Sequence, residues 1–155
     1  MWRHAWVSSI DKWNAEMPQP FCLAQNWGEG LIAYGTREWD DYSVTCCRFM
    51  IHLGTAGILI RVQGLRRYYA LRFHINNRVS LVRVMDDARE ELDSVPYEWK
   101  VEKPYQLHIA VQGDKISAAI EGGPSLAATD RTYSNGAFGL LVHEGSASAT
   151  EFRIE

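Results

Sequence analysis

The sequence predicts an all-β fold, a two-sheet antiparallel β-sandwich, from three observations. Apolar residues alternate with polar residues at period 2 through most of the chain. Glycine, Asn-Asn, Gly-Asp and proline interrupt these stretches at short intervals, as turns between strands do. Helical periodicity is almost absent. We expect strands at about 21–25, 31–35, 42–50, 56–63, 68–75, 79–85, 89–95, 106–112, 115–121, 125–128, 137–142 and 149–154.

Size and composition fit one soluble domain. The 155 residues, 46% of them hydrophobic and 23% charged, are enough to bury a substantial core. A net charge of −3 offers no basic surface for nucleic acid. No apolar run approaches the roughly 20 residues that cross a bilayer, and the N-terminus lacks a secretory signal pattern. We therefore expect residues 1–155 to form a single β-sandwich domain, with no nucleic-acid or membrane partner.

The three cysteines, Cys22, Cys46 and Cys47, do not predict a disulfide framework because their number is odd. Cys46 and Cys47 are neighbours in an expected strand, so their side chains should point to opposite faces. Small buried or half-buried thiols are the expected outcome.

The alternation of residues in two neighbouring strands predicts a polar face. In residues 57–63 and 68–75, β-branched and aromatic residues share one face, and the other face carries polar groups. That second set is Arg61, Gln63, Tyr68, Arg72 and His74. It is either an ordinary solvated face or a ligand platform, in which the rigid fork of arginine donors suits vicinal hydroxyls or a carboxylate.

Two of the six tryptophans fall in expected loops. Trp27 lies beside Gly28, and Trp39 precedes the pair Asp40-Asp41. Loop tryptophans can provide a flat surface for the apolar face of a sugar ring, or they can plug the end of a sandwich. We place both at the rim of the predicted ligand platform.

Several short motifs follow one another over roughly residues 30–155. They are Trp39-Asp40-Asp41-Tyr42-Ser43-Val44, Gly57-Ile58-Leu59-Ile60-Arg61, Tyr68-Tyr69-Ala70-Leu71, Gly113-Asp114-Lys115-Ile116, Asp130 with Gly136 and Gly139-Leu140, and Phe152-Arg153-Ile154. Taken in order, these motifs resemble the concanavalin-like, laminin-G-like sandwich domains of bacterial carbohydrate-active proteins, and most closely the 3-keto-disaccharide hydrolase family. The resemblance implies a jelly-roll sandwich whose concave, ligand-facing sheet carries Arg61.

The sequence departs from the hydrolases of that family at one place. Hydrolase-like members carry an acidic residue on the strand after the Asp-aromatic motif, where this chain has Thr45-Cys46-Cys47-Arg48. Without a carboxylate as general base, binding without turnover is the simpler role. The resemblance also allows a calcium ion, for which Asp40, Asp41 and Asp130 are candidate ligands, and no other cofactor is expected.

The main hypothesis is therefore a non-catalytic carbohydrate-binding accessory module with a glycan or small sugar as its ligand. Domains of the resembled kind also occur as appendages of larger bacterial hydrolases. This chain ends at what should be the last core strand, which fits a module excised from the C-terminal part of a longer protein. A catalytic domain of the same chain is then an expected partner.

Two alternatives stay open. A glycoside-cleaving enzyme would need two carboxylates, one on each side of the scissile bond, and the acidic residues that could serve lie in polar, turn-like stretches. A structural or interaction domain of a larger hydrolase would use the aromatic N-terminus, with Trp2, Trp6 and Trp13, as a docking surface. The candidate acids are Asp86, Asp87, Glu90, Glu91 and Glu98.

Overall fold

A computed structural model describes residues 7–8, 12–14, 21–36 and 38–155, and every regular element in them is a β-strand. Trp2 and Trp6 lie outside the described residues. No helix in the described part of the chain is long and apolar enough to cross a bilayer. The strands are β1 (Val7–Ser8), β2 (Lys12–Asn14), β3 (Phe21–Tyr34), β4 (Tyr42–Gly64), β5 (Arg67–His74), β6 (Arg78–Met85), β7 (Ala88–Pro96), β8 (Tyr105–Gln112), β9 (Lys115–Ile120), β10 (Ser125–Thr129) and β11 (Ala137–Ile154).

Three long strands connect the two layers of the sandwich. β11 pairs with β3 on one side and with β4 on the other, and all pairings are antiparallel. The second half of β4 continues to β5, β6 and β7, and we call this layer the front sheet. The first half of β4 continues to β8, β9 and β10, and we call this layer the back sheet. The all-β, antiparallel sandwich predicted from the sequence is confirmed.

Each of these long strands was expected as two shorter ones, because glycines near their middles resemble turns. In the structure Gly28 and Gly54 have φ values of 60° and 72°, and the pairing register shifts between His143 and Gly145. A Cβ atom on Gly145 would lie 1.9 Å from the carbonyl oxygen of Leu53. These glycines therefore allow bends and bulges within continuous strands, where the backbone passes from one sheet to the other.

The main core lies between the two sheets. Ile58, Leu71 and Phe73 of the front sheet are fully buried, as are Val44 and Leu107 of the back sheet.

The prediction of buried or half-buried thiols is confirmed for two of the cysteines. Cys46 is buried in this core, and Cys47 is half-buried beside it. Burial raises the pKa of the Cys46 thiol to about 12, so this thiol is not a nucleophile at neutral pH.

The expected alternation fails at two positions. Val62 was assigned to the face of Ile58, but it packs with Leu59 on the opposite side because Arg61, with φ of 50°, interrupts the strand geometry. The pairing register of β4 with β5 shifts at the same place. Ile75 was also assigned to the core, but it is exposed in the turn after β5.

The outer face of the front sheet is more apolar than expected. It carries a second buried cluster, which includes residues from β3, β4, β5, β6 and β11. Tyr68, expected on a half-solvated polar face, is only 2% exposed within this cluster. Because the front sheet has apolar residues on both faces, the alternation of polar and apolar residues could not assign every residue to the correct face. The cluster comprises Leu31, Ala33, Leu59, Val62, Tyr68, Ala70, Val82, Val84, Ala137 and Leu141.

Candidate functional site

The structure separates the predicted ligand residues into two groups. Arg61 and Gln63 lie near the C-terminal end of β4, whose closing turn leads to β5. Arg72 and His74 lie at the other end of that hairpin, since Arg72 is paired with Gly57. One continuous platform over all these residues is therefore not what the structure shows.

Arg61 joins three loops through its guanidinium group. Nε and Nη2 donate to the carbonyl oxygen of Asp40 at 3.1 and 3.0 Å, and Nη2 donates to Oδ1 of Asp41 at 3.1 Å. Nη1 donates to the carbonyl oxygens of Gly113 at 2.6 Å and Tyr133 at 3.0 Å. These five bonds match the five N–H donors of a guanidinium group, and the residue is 1% exposed. Arg61 therefore has no free donor for a ligand, in contrast to the outward-facing role expected of it.

Gln63 and Trp39 also make internal contacts. Nε2 of Gln63 donates to the backbone and side-chain oxygens of Asn135, both at 3.0 Å. Trp39 is half-buried, with its ring edge-to-face to Tyr34 and Tyr42 at centroid distances of 6.3 and 5.6 Å. This packing corresponds to a tryptophan that plugs the end of a sandwich.

The candidate calcium ligands are engaged with protein donors. Oδ1 of Asp41 accepts from Arg61 and from the backbone N–H of Gly113, at 3.1 and 2.8 Å. Asp130 accepts from the hydroxyl of Tyr69 at 2.6 Å and forms an ion pair with Arg83. Across residues 21–36 and 38–155, and the short strands before them, no group of three or more His, Cys, Asp or Glu residues could hold a metal ion.

A charged cluster on the outer side of the front sheet contains residues that the sequence did not single out. We call it the Glu29 cluster, comprising Glu29, Arg72, Arg89, His143 and Glu144. Glu29 lies on β3 and its side chain is 12% exposed. It accepts two hydrogen bonds from Arg89, at 2.7 and 2.6 Å, and forms an ion pair with Arg72. Strands β3, β5, β7 and β11 thus contribute to one site.

The two arginines keep the Glu29 carboxylate ionised. Burial by itself would raise the pKa of Glu29, but the charges and hydrogen bonds of Arg72 and Arg89 lower it below the ordinary value of 4.5. Glu29 is therefore an acceptor only, at any pH near neutrality.

Two buried nitrogen atoms in the cluster have no hydrogen-bond partner, namely Nε of Arg72 and Nδ1 of His143. Both side chains approach the same oxygen, since Nη1 of Arg72 pairs with Oε1 of Glu29 and Nδ1 of His143 is 4.0 Å from it. Nε2 of His143 is 3.0 Å from a carboxylate oxygen of Glu144. Because a carboxylate only accepts, this contact assigns the proton of the neutral ring to Nε2 and leaves Nδ1 as an acceptor. The cluster thus holds one unpartnered donor and one unpartnered acceptor, and both atoms are buried.

Of the remaining predicted residues, Tyr68 and His74 are close enough to this cluster for its charges to act on them. Burial, and then the charge of Glu29, raise the pKa of Tyr68 to about 12. His74 bonds Oγ of Ser80 through Nε2 at 2.5 Å, and burial, followed by nearby arginine charges, lowers its pKa to about 4. Trp27, two residues before Glu29 on β3, is 82% exposed. Of the predicted site residues, Trp27 is therefore the one with a large accessible ring.

The acids considered for glycoside cleavage are mostly engaged in ion pairs on and around the β6–β7 hairpin. These pairs are Asp86 with Arg67, Asp87 with Arg66, Glu90 with Arg83, and Glu91 with Arg78. Each pair has at least one exposed partner, which is typical of a solvated surface.

Comparison with known proteins gives similarity in structure only. No family matches the chain, and no curated protein is similar in sequence. The carbohydrate-binding module CBM66 from Bacillus subtilis matches with a TM-score of 0.84 at 17% identity, covering 97% of this chain and 94% of that one. The Ca²⁺/Man3GlcNAc-bound exoplasmic/lumenal domain of VIP36 matches with a TM-score of 0.70 at 11% identity, covering 96% and 82%. Chicken galectin 2 matches with a TM-score of 0.63 at 11% identity, covering 83% and 98%.

These matches confirm the jelly-roll sandwich. The chain has a fold found in carbohydrate-binding modules and lectins. At such low identities the comparisons establish the fold alone. The narrower resemblance to the 3-keto-disaccharide hydrolase family stays a prediction.

Proposed function

We propose that this protein is a carbohydrate-binding domain in which the Glu29 cluster, on the outer face of the front sheet, binds a sugar without cleaving it. The observation that carries the proposal is the pair of unpartnered buried nitrogens, Nε of Arg72 and Nδ1 of His143. A buried polar group without a partner costs free energy, and a ligand hydroxyl that satisfies it recovers that cost.

The chemistry of the two nitrogens selects a hydroxyl group. Once a side chain of the cluster shifts to admit it, a sugar hydroxyl can accept from Arg72 and donate to His143, or two neighbouring hydroxyls can do so separately. A sugar carboxylate could accept from Arg72 but could not donate to His143, and it would meet the negative charges of Glu29 and Glu144. The site therefore favours neutral sugars. The exposed ring of Trp27 offers a surface for the apolar face of a sugar ring.

The state of Glu29 supports binding rather than cleavage. A glycoside hydrolase needs a carboxylic acid with a raised pKa to protonate the leaving oxygen, beside a second carboxylate. Arg72 and Arg89 instead lower the pKa of Glu29. Its role in the proposed site is to hold the two arginines in place and accept from hydroxyls.

Calorimetric titration against neutral and uronic oligosaccharides tests the proposal. We expect the wild type to bind a neutral sugar, and the variants Arg89→Ala, His143→Phe and Trp27→Ala each to weaken binding about tenfold or more. Arg67→Ala is the matched control, because Arg67 lies on the same strand as Arg72 in an exposed pair with Asp86. Binding to none of the sugars, or unchanged affinity in all three variants, would overturn the proposal.

A further inference from the structure

A second chain of polar contacts lies on the outer face of the back sheet and shares no residue with the Glu29 cluster. It links Ser148 of β11, His52 of β4 and Glu102 in the loop between β7 and β8. Nε2 of His52 is 2.9 Å from Oγ of Ser148, and Nδ1 of His52 is 3.0 Å from both carboxylate oxygens of Glu102.

The alternation of side chains along β4 and β11 places His52 and Ser148 on the solvent-facing side of the back sheet. Ile51 before His52, and Ala147 and Ala149 on either side of Ser148, are buried in the core. Neighbouring residues of a strand point to opposite faces, so His52 and Ser148 point outward. The side chains of His52 and Glu102 are 32% and 63% exposed, which leaves the group accessible to a small reagent.

Ser148, His52 and Glu102 are arranged as a nucleophile, a base and a carboxylate that orients the base. Because a carboxylate only accepts, Glu102 binds the proton on Nδ1 of His52. The neutral ring then presents its lone pair on Nε2 to the hydroxyl of Ser148. A nucleophile bonded to a base, which a third group orients, is the arrangement that activates serine.

The backbone of Glu102 adds an independent observation. Its φ is 59°, a left-handed conformation that non-glycine residues seldom adopt. The backbone N–H of Glu102 donates to the carbonyl oxygen of Ile51 at 2.8 Å, which fixes the loop beside His52. Backbone conformations of this kind concentrate at functional sites, and here it holds the carboxylate against the imidazole.

We propose that Ser148 is a nucleophile that accepts the acyl group of small esters. Oγ attacks the ester carbonyl carbon while its proton passes to Nε2 of His52. The bond between the carbonyl carbon and the alkoxy oxygen then breaks, and the alcohol leaves with that proton. Water attacks the acyl-serine by the same route, releasing a carboxylic acid and restoring Ser148. On this open face water solvates the oxyanion, so the expected turnover is slow.

The experiment combines p-nitrophenyl acetate with mass spectrometry of the acetylated peptide. We expect p-nitrophenolate release and an acetyl group on Ser148 in the wild type. His52→Gln should slow acetylation about tenfold or more, Glu102→Gln should slow it by a smaller factor, and Ser148→Ala should abolish modification at this position. Circular dichroism and a thermal melt of each variant check the fold.

A hydroxyl–imidazole pair on the same sheet provides the matched control. Oγ1 of Thr45 lies 2.9 Å from Nδ1 of His108, but no carboxylate among the described residues pairs with this histidine. Thr45 should remain unmodified, and His108→Gln should leave acetylation of Ser148 unchanged. The proposal is overturned if Ser148 is not acetylated, if His52→Gln acetylates as fast as the wild type, or if Thr45 reacts equally.

Discussion

Arg61 and Arg72 are buried arginines on neighbouring strands of the front sheet, and they differ in how their donors are used. All five N–H groups of Arg61 bond to protein oxygens. Arg72 pairs with Glu29 but leaves Nε without a partner. Sequence patterns present both as polar residues on adjacent strands. Because all donors of Arg61 are satisfied, we assign Arg61 a structural role. The unpartnered Nε of Arg72 makes Arg72 the candidate for binding a ligand.

Arg61→Met should give the largest loss of stability. The substitution removes every donor to the carbonyl oxygens of Asp40, Gly113 and Tyr133, and these oxygens remain in place. We expect the free energy of unfolding to fall by about 3–5 kcal/mol, the usual cost of removing one partner from a buried polar network. Urea unfolding followed by tryptophan fluorescence measures it. Arg67→Ala, at an exposed position, should leave the midpoint unchanged.

Arg72→Met should cost less stability than Arg61→Met. Glu29 retains its two bonds from Arg89, and the substitution also removes the unpartnered Nε. We expect a loss of about 1–2 kcal/mol in the same unfolding measurement, because one ion pair is broken while its carboxylate keeps a partner. A loss as large as that of Arg61→Met would show that Arg72 has a structural role of equal weight.

Glu29 should contribute a smaller, pH-dependent part of the stability. Its pKa in the folded protein is below the ordinary value of 4.5, so the stabilisation is present above that pH and is lost as the pH falls through the folded pKa. Comparing wild type with Glu29→Gln, we expect a constant stability difference from about pH 7 to about pH 5 that shrinks at lower pH. A difference that instead grows on acidification would contradict the lowered pKa.

The fold was predictable because the sequence features that specify its strands and turns are local. Period-2 alternation and turn residues located most strands correctly, from β5 through β10. The long strands were not recognised, since a glycine with positive φ inside a strand looks the same in sequence as one in a turn. Gly28 and Gly54 are such residues, and only pairing with β11 shows that the strand continues.

The candidate site could be assembled only in part from the sequence, because its contacts cross the sheet. Arg72, Tyr68 and Trp27 were selected from alternation and loop position; Arg72 pairs with Glu29, the charge of Glu29 acts on Tyr68, and Trp27 lies two residues before Glu29 on β3. Glu29 itself stands between two glycines and was taken for a turn residue. His143 and Glu29 face each other through strands more than 100 positions apart, a distance in sequence that no local pattern reports.

The continuity of β3, β4 and β11 through both sheets also affects how the domain can come apart. In a sandwich whose sheets have separate strands, one layer can detach while the other remains intact. Here the same three backbones carry hydrogen bonds in both layers. Opening the front sheet pulls on the back sheet directly, so the two layers behave as one cooperative unit rather than as separate foldons.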